Sequence, residues 1–342
     1  MDGIYTESSH KPMIKGLIKM SALIISTVIA FFLVLEIAFR YQWFDFYKAE
    51  LKNLNKDLNK GHHLKNILIC GDSFTADPVS YVSLLKDSIR NVQIINAAVP
   101  GSCIRQHTLY LPDRIKAYQP EIFIYQFYAG NDLFEIRHPY QSNQISFFRK
   151  IYWFLSDKIL SLAYLNFRFA GVRYRYFDDA GGMYTAKEID RFSVSSYSKR
   201  EKFNYKAEPD LIENTYLLKN GRDADWLYFK TKFIEMINQL DDSVSKYFVF
   251  IPHESMLSRS LMDKHKSLGA RFSTPPSTDY PLKKEIKALC TELNLYFIDY
   301  SRPSVDSTSL ENLFYTNDPH LNRFGQLTLG KQLLSEIRKN EY

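Results

Sequence analysis

Five short apolar runs, separated by helical patterns, are the feature that most constrains how this chain can fold. The runs are rich in Ile, Phe, Tyr and Val and are apolar on both faces, which is typical of strands buried in a parallel sheet. They lie at 66–70, 92–97, 121–128, 247–252 and 295–299. Patterns with helical spacing lie at 79–89, 104–118, 224–240, 281–293 and 324–337. This alternation predicts a three-layer α/β/α sandwich around a mainly parallel five-stranded sheet.

Three residues suited to chemistry come directly after predicted strands. Ser73 follows the first strand, Gly101 follows the second and Asn131 follows the third. Ligands of parallel α/β sheets collect at the carboxyl ends of the strands. We therefore expect these three residues to face one crevice.

The N-terminal segment is apolar enough to cross a membrane. No charged residue occurs from Met20 to Leu35, and residues 16–39 would make a helix about 36 Å long, against a hydrocarbon core of about 30 Å. Lysines precede this run, so we predict a cytoplasmic tail at 1–15, a transmembrane helix at 16–39 and an extracytoplasmic remainder, periplasmic or at the cell surface. A cleaved signal peptide is the alternative. Its apolar run would be shorter and would end at a small-residue site, whereas this run ends in Glu36-Ile-Ala-Phe-Arg40.

The rest of the chain is predicted to be a short helical stalk at 40–65 and one domain at 66–342. An aromatic-rich insert at about 139–222 separates the third strand from the fourth and is too long for a simple crossover. Three interpretations are open: a cap packed on the domain, an amphipathic segment on the membrane surface, or a glycan-binding surface. Aromatic residues at helical spacing usually form core, which favours the cap.

Charge and cysteine content exclude several classes. The net charge of +6 arises from 44 basic and 38 acidic residues, a mild and mixed excess, and no basic arm or nucleic-acid motif occurs, so no nucleic-acid partner is predicted. Three cysteines without a C-x-x-C pair argue against a disulfide framework or a zinc site. The adjacent His62 and His63 lie on the stalk, where solvation is the usual role. No metal and no organic cofactor are predicted.

The stretch Gly71-Asp72-Ser73 could simply cap the next helix, so a nucleophilic serine needs further support. His320 supplies a candidate base, because Asp318 stands two residues before it and can fix the imidazole tautomer. The other seven histidines have no such setting. His253 follows the fourth strand, so it is either a substrate contact or a surface-loop residue. Candidate oxyanion donors are the backbone N–H groups of Ser73 and Gly101 and the side-chain amide of Asn131.

Four sequence blocks resemble those of the SGNH hydrolases, the GDSL family of esterases and lipases. They are GDSFT with Ser73, NAAVPG with Gly101, AGND with Asn131, and NDPHLN with Asp318 and His320. The resemblance covers roughly residues 66–134 and 247–338. It implies a flavodoxin-like fold, Ser73 as nucleophile, His320 as general base, Asp318 as its orienting acid and the three oxyanion donors named above.

The chain departs from the family pattern at three places. Phe74 replaces the usual Leu, and Ala129 stands where many members have Gly. The last block of the family is commonly D-x-x-H, whereas here Asn317 holds the −3 position and Asp318 the −2 position. Related membrane-linked members that act on O-acetyl groups of polysaccharides show a similar D-x-H-x-N block.

The sequence thus predicts a membrane-anchored serine esterase. Its expected substrate is an ester-linked acyl group, first the O-acetyl groups of extracytoplasmic glycan and second a lipid ester. Two alternatives stay open: an O-acyltransferase that uses the same triad on cell-surface polysaccharide, and a catalytically silent SGNH-like binding or scaffold module. Covalent labelling of Ser73 separates the enzymes from the silent module, and product analysis with a sugar acceptor separates hydrolysis from transfer.

Overall fold

The predicted five-stranded sheet is confirmed in a computed structural model, which describes residues 10–56, 58, 65–77, 79–176, 191–303 and 307–341. The strands are β1 (Lys65–Cys70), β2 (Val92–Asn96), β3 (Ile122–Tyr128), β4 (Ser245–Ile251) and β5 (Tyr296–Asp299). All four pairings are parallel, and the order across the sheet is β2-β1-β3-β4-β5. Strand order therefore reverses between β1 and β3, which is where a doubly wound sheet binds its ligands.

Twelve α-helices accompany the sheet in the described residues. Their bounds are α1 (His10–Arg40), α2 (Lys48–Leu54), α3 (Tyr81–Ser88), α4 (Ile104–Tyr118), α5 (Phe147–Ser156), α6 (Leu160–Tyr176), α7 (Lys199–Ala207), α8 (Leu211–Leu217), α9 (Arg222–Ile237), α10 (Arg259–Ser267), α11 (Pro281–Glu292) and α12 (Arg323–Glu341). Short 3₁₀ helices lie at Glu254–Met256 and Ser307–Leu313.

Two apolar cores lie on opposite faces of the sheet. Alternate residues of each strand enter different cores: Leu68 and Phe123 face one, whereas Ile67 and Ile122 face the other. Helices α4, α9 and α11 cover the first face, and α3 and α12 cover the second. The strands are apolar on both faces for this reason, since helices cover both sides of a parallel sheet.

The insert between β3 and α9 contributes α5, α6, α7 and α8. Buried residues from these helices, including Trp153, Tyr205 and Tyr216, join the first core. The insert therefore packs on the domain, although one face of α5 stays exposed. Its residues 177–190 lie outside the described part of the chain.

In the described part of the predicted stalk, α2 is helical after the end of α1 at Arg40, and this part packs against the domain. Tyr47 is buried in the first core and contacts Tyr110 edge to face, with ring centroids 5.2 Å apart. Arg168 of α6 forms an ion pair with Glu50 at 2.5 Å. The tail at 1–9 and the His62-His63 pair lie outside the described residues, so those predictions are not examined by the structure.

Helix α1 contains a 26-residue segment, Lys15–Arg40, that is long and apolar enough to cross a membrane. Its last turns contact α6. The carboxylate of Glu36 accepts hydrogen bonds from the backbone N–H groups of Leu160 at 3.1 Å and Ser161 at 2.8 Å. Arg40 pairs with Glu36 at 2.6 Å, as its i+4 spacing suggests, and donates to the carbonyl of Lys158 at 2.8 Å. Glu36 thereby caps the N-terminus of α6, whose first N–H groups have no partner within the helix.

Phe229 of α9 tests the first core. Its ring is fully buried and stacks on Trp226 and Phe233 at 5.4 and 5.5 Å. We expect Phe229→Ala to lower the free energy of unfolding by about 3–5 kcal/mol, because it removes buried apolar area and leaves a cavity. Leu227→Ala, on the exposed side of the same helix, is expected to change it by no more than about 0.5 kcal/mol. Denaturant titration of both full-length variants in detergent measures the difference, and equal losses would contradict the assignment of the core.

Candidate active site

Ser73 lies in the turn that follows β1, where its side chain is partly exposed. Hydrogen bonds to buried groups fix the conformation of this turn. Asp72 donates its N–H to Gln126 of β3 at 3.1 Å, and its side chain accepts from the N–H of Phe74 at 3.0 Å. A Cβ on Gly71 would lie only 2.4 Å from the Gln126 side-chain oxygen, so this close approach requires glycine.

His320 reaches Ser73 from a β-hairpin near the C-terminus. The hairpin pairs β6 (Phe314–Tyr315) with β7 (Asp318–Leu321), and the His320 Nε2 atom lies 2.8 Å from the Ser73 Oγ atom. The Nδ1 atom is hydrogen-bonded to Asp318, whose carboxylate also accepts the His320 backbone N–H at 3.0 Å. A carboxylate only accepts, so Nδ1 carries the proton and Nε2 is left to accept the Ser73 hydroxyl proton.

The structure separates the roles of Asn317 and Asp318. Asn317 is buried and bonds the insert: it donates to the Arg191 carbonyl at 3.0 Å and accepts from the Ser193 N–H at 2.9 Å. The Asp318 carboxylate is hydrogen-bonded to the imidazole, whereas the Asn317 amide is hydrogen-bonded to the backbone of the insert. The shift of the acid from position −3 to −2 therefore leaves Asn317 to attach the insert to the hairpin.

Phe74, which replaces the family's usual Leu, stacks on His320. The ring centroids are 4.7 Å apart and the planes are inclined by 27°. On its other side Phe74 contacts Tyr128 at 4.2 Å. Gln326 of α12 donates to the Phe74 carbonyl at 3.0 Å and accepts from the Tyr81 N–H at 2.9 Å. The imidazole is thus supported on one face by a ring that is itself fixed at both its backbone and its side chain.

Asn131 lies after β3, and its Nδ2 atom donates to Asp72 at 3.2 Å. This contact sets the amide orientation, because the opposite one would place two oxygens together. It leaves one Nδ2 hydrogen for a ligand. Burial raises the pKa of the Asp72 carboxyl, although the Phe74 N–H and the Asn131 amide partly offset that effect. Burial and the charge of Asp72 together raise the pKa of the neighbouring Asp132 well above its usual value.

Gly101 follows β2 with a φ of +69°, a left-handed conformation that favours glycine. The side chain of Arg200, from α7, approaches it: a Cβ on Gly101 would lie 3.8 Å from the Arg200 Nη1 atom. Arg200 is also ion-paired with Glu135. The guanidinium thus brings a positive charge of the insert to the end of β2, which sequence analysis did not identify.

A second serine–histidine pair, Ser102 and His107, lies between Ser73 and His320 in the sequence. Ser102 Oγ is 2.7 Å from His107 Nε2. Both residues are buried, the other imidazole nitrogen contacts the Tyr125 hydroxyl at 2.9 Å, and burial lowers the pKa of His107 to about 3. The Tyr125 hydroxyl occupies the position at His107 that the Asp318 carboxylate occupies at His320, and the pair is buried, so its role is structural. Ser102 is therefore a matched control for Ser73.

His253 is fully buried, so it is not the surface-loop residue that was one alternative. Its Nδ1 atom lies 2.8 Å from the Ser255 hydroxyl and its Nε2 atom 3.2 Å from Glu201 of α7. No atom of the ring is exposed to a substrate in this conformation. Whether His253 contacts substrate stays a prediction.

His253 belongs to a buried polar cluster, the His253 cluster, that sequence analysis missed. Its members come from α7, the segment after β4, and α10, and they are Glu201, Tyr205, His253, Glu254 and His265. The cluster joins the insert to the domain by hydrogen bonds between residues that are far apart in the chain. Spacing alone therefore gave no signal for it.

Glu201, His253 and His265 could together hold a metal ion, because one ligand atom from each lies within 4.8 Å of the others. The Tyr205 hydroxyl lies among these atoms, 2.7 Å from His265 Nδ1 and 3.3 Å from His253 Nε2. His265 Nε2 contacts Glu254 at 2.7 Å. Hydrogen bonds within the cluster thus account for its imidazoles and carboxylates.

The comparisons with known proteins give only distant likenesses. No protein-family model and no curated protein sequence matches the chain. Among solved structures, it is similar to a lipase/acylhydrolase from Enterococcus faecalis (14% identity, 81% of this chain and 96% of the other, TM-score 0.39). It is also similar to a lipolytic G-D-S-L family protein from Veillonella parvula (11%, 80% and 98%, TM-score 0.38). A third is an acetylxylan esterase from Geobacillus stearothermophilus, a catalytic mutant (12%, 82% and 96%, TM-score 0.37).

The four blocks that resemble those of the SGNH hydrolases lie together in the fold, an α/β fold with a mainly parallel five-stranded sheet. Sheet order 2-1-3-4-5 carries the first three blocks on successive strand ends, and the fourth block closes over them from the C-terminal hairpin. This is the arrangement expected of the family that the sequence resembles.

Glu254 makes the stability of the His253 cluster depend on pH. Burial alone would raise its pKa, but His265, Lys264 and Tyr197 lower it to about 2. Because the pKa is lower in the folded chain than the usual value of about 4.3, this stabilisation is complete above that value and is lost as pH falls toward 2. We expect Glu254→Gln to be less stable at neutral pH and to lose less stability on acidification. Thermal unfolding of the full chain in detergent at several pH values measures both effects, with the exposed Glu292→Gln as control. Parallel pH profiles of wild type and Glu254→Gln would contradict this assignment.

Proposed function

We propose that this chain is a serine ester hydrolase, anchored by α1, that removes acyl groups from extracytoplasmic glycan. The observation that carries the proposal is the continuous contact from Ser73 through His320 to Asp318, with the Ser73 hydroxyl 2.8 Å from the imidazole. Ser73, which is 247 residues from His320 in sequence, meets the His320–Asp318 pair with the donors and acceptors in the order that nucleophilic catalysis needs.

The reaction would proceed through an acyl-enzyme. The Ser73 hydroxyl gives its proton to His320 Nε2 while its oxygen attacks the ester carbonyl. Asp318 stabilises the imidazolium that forms. The tetrahedral intermediate then expels the alcohol, which takes the proton from His320. A water molecule, activated by the same imidazole, attacks the acyl-enzyme and releases the acid and free Ser73.

The negative charge that develops on the carbonyl oxygen needs donors in place before the reaction. We assign this role to the backbone N–H groups of Ser73 and Gly101 and to the Asn131 amide. Asp72 orients Asn131 by accepting one of its amide hydrogens at 3.2 Å.

Hydrolysis is favoured over acyl transfer by the exposure of the candidate catalytic groups. About a quarter of the His320 side chain is exposed, 27%, and Ser73 is also partly exposed. Water can therefore reach the imidazole. Glycan is proposed as the substrate because Lys11, Lys15 and Lys19, which precede the uncharged run within α1, favour an extracytoplasmic domain, where acylated polysaccharide is available.

Ser73→Ala tests the nucleophile. Full-length protein in detergent is treated with a fluorophosphonate probe and assayed on p-nitrophenyl acetate. We expect labelling and turnover in the wild type, and loss of both in Ser73→Ala with a fall in kcat of on the order of 10⁴-fold or more. Ser102→Ala, which removes the hydroxyl of the buried second pair, should still be labelled. Failure of folded wild type to react would overturn the esterase and favour a silent binding module.

Asn131→Ala tests the oxyanion donor. An interaction made only in the transition state changes kcat and leaves KM nearly unchanged, and the loss of one donor typically costs about 10²–10³-fold in kcat. We expect that pattern on p-nitrophenyl acetate, with an unfolding temperature close to that of the wild type. A rise in KM at constant kcat would instead assign Asn131 to substrate binding.

A further inference from the structure

Helix α5 of the insert carries a stripe of exposed apolar side chains. The members of this stripe repeat at helical spacing along one face: Phe147, Phe148, Ile151, Phe154 and Leu155. Phe148 is the most exposed of them, at 82%. The sequence left three interpretations of the insert open and favoured a packed cap, whereas this stripe lies on the exposed face of α5.

The opposite face of α5 is fixed to the domain. Trp153 is 4% exposed and stacks on His138, with ring centroids 5.1 Å apart. Ser156 is also buried. The helix therefore cannot turn its stripe inward without losing these contacts. The stripe is a fixed external surface.

Basic residues accompany the stripe. Arg149 lies over the rings of Tyr152 and Phe203 at 5.5 and 5.2 Å, and Lys158 lies over Phe154 at 5.2 Å. Lys150 contacts Asn143 at 3.5 Å. An apolar face bordered by Arg and Lys is the pattern of a helix that lies in a membrane interface.

The outer end of α1 contacts the chain directly after α5. Arg40 donates to the Lys158 carbonyl at 2.8 Å, and Glu36 caps α6 two residues further on. A ten-residue helix is about 15 Å long, so the whole of α5 lies near the point where α1 would leave the bilayer. The contact places α5 and the outer end of α1 at a similar height along the membrane normal.

The residues that follow α1 are also exposed and aromatic. Tyr41, Trp43 and Phe44 are each more than half exposed. Tyr and Trp are enriched where a membrane helix meets water. Exposed aromatic residues therefore continue beyond the end of α1 into the segment at 41–44.

We propose that α5 lies in the bilayer interface, with the stripe directed toward the acyl chains of the leaflet in which α1 ends. The proposal rests on the membrane anchor of the proposed function. The occupant is the bilayer because the stripe adjoins the candidate span and is bordered by basic side chains. Two other occupants of the stripe, a glycan and a second copy of the chain, are alternative outcomes of the test.

Site-directed nitroxide labels test this placement in the full chain, reconstituted in vesicles that contain anionic lipid. Cysteine is introduced in separate variants at Phe148, at Ile25 of α1 and at Phe324 of α12, which covers the opposite face of the sheet. The three native cysteines are buried, and burial raises the pKa of both Cys70 and Cys290 to about 12, so they react poorly with the label. The readout is the collision rate with oxygen, which partitions into lipid, relative to that with a water-soluble nickel chelate.

We expect oxygen-to-nickel ratios at Phe148 and Ile25 that are several-fold higher than the ratio at Phe324. A lipid-like ratio at Ile25 with a water-like ratio at Phe148 would overturn the proposal, leave the anchor intact and favour a glycan surface. Shielding of Phe148 from both reagents would also overturn it and indicate a second copy. A water-like ratio at Ile25 would remove the anchor of the proposed function and this inference with it, while Ser73 labelling could still succeed.

Discussion

The reversal of strand order between β1 and β3 is the constraint on which the candidate site depends. Adjacent parallel strands that lead their crossovers to opposite faces leave a crevice at their carboxyl ends. Ser73 leaves β1 and Asn131 leaves β3 on the two sides of that crevice, and Asp72 joins them by one hydrogen bond. The β6–β7 hairpin lies over this crevice and brings His320 to Ser73. The order in which the strands pair therefore brings candidate catalytic residues from distant parts of the sequence together.

Much of this arrangement was predictable from the sequence, because it is encoded in local patterns. Buried parallel strands are apolar on both faces, so each strand was found to within about two residues at its ends. The β6–β7 hairpin was not predicted, since a two-residue strand has no periodicity to detect. The sequence left the position of the α5 stripe open, because spacing indicates that residues share a face and does not indicate what covers that face. An exposed apolar stripe and a buried helix face have the same spacing of apolar residues in the sequence.

Other parts of the site follow from tertiary contacts that no local pattern reveals. The sequence offered Asn317 and Asp318 as neighbours of His320, and only the backbone of the hairpin decides which one contacts the imidazole. His253 was assigned to the crevice or the surface because its partners in the His253 cluster come from the insert. Buried polar groups need partners, and the Tyr205 and Glu201 side chains that His253 Nε2 contacts are 48 and 52 residues away in sequence.

The contact between Glu36 and the N-terminus of α6 has a practical meaning for anyone preparing this protein. A soluble version that begins after the apolar segment would lose the cap of α6, and also Phe39, which is fully buried among Phe46, Tyr47 and Tyr164. The last residues of the apolar helix, from Glu36 to Arg40, are therefore part of the domain's packing, so the domain begins before the apolar segment ends. Expression boundaries are better placed upstream of Glu36, with detergent or lipid supplied to the part that remains.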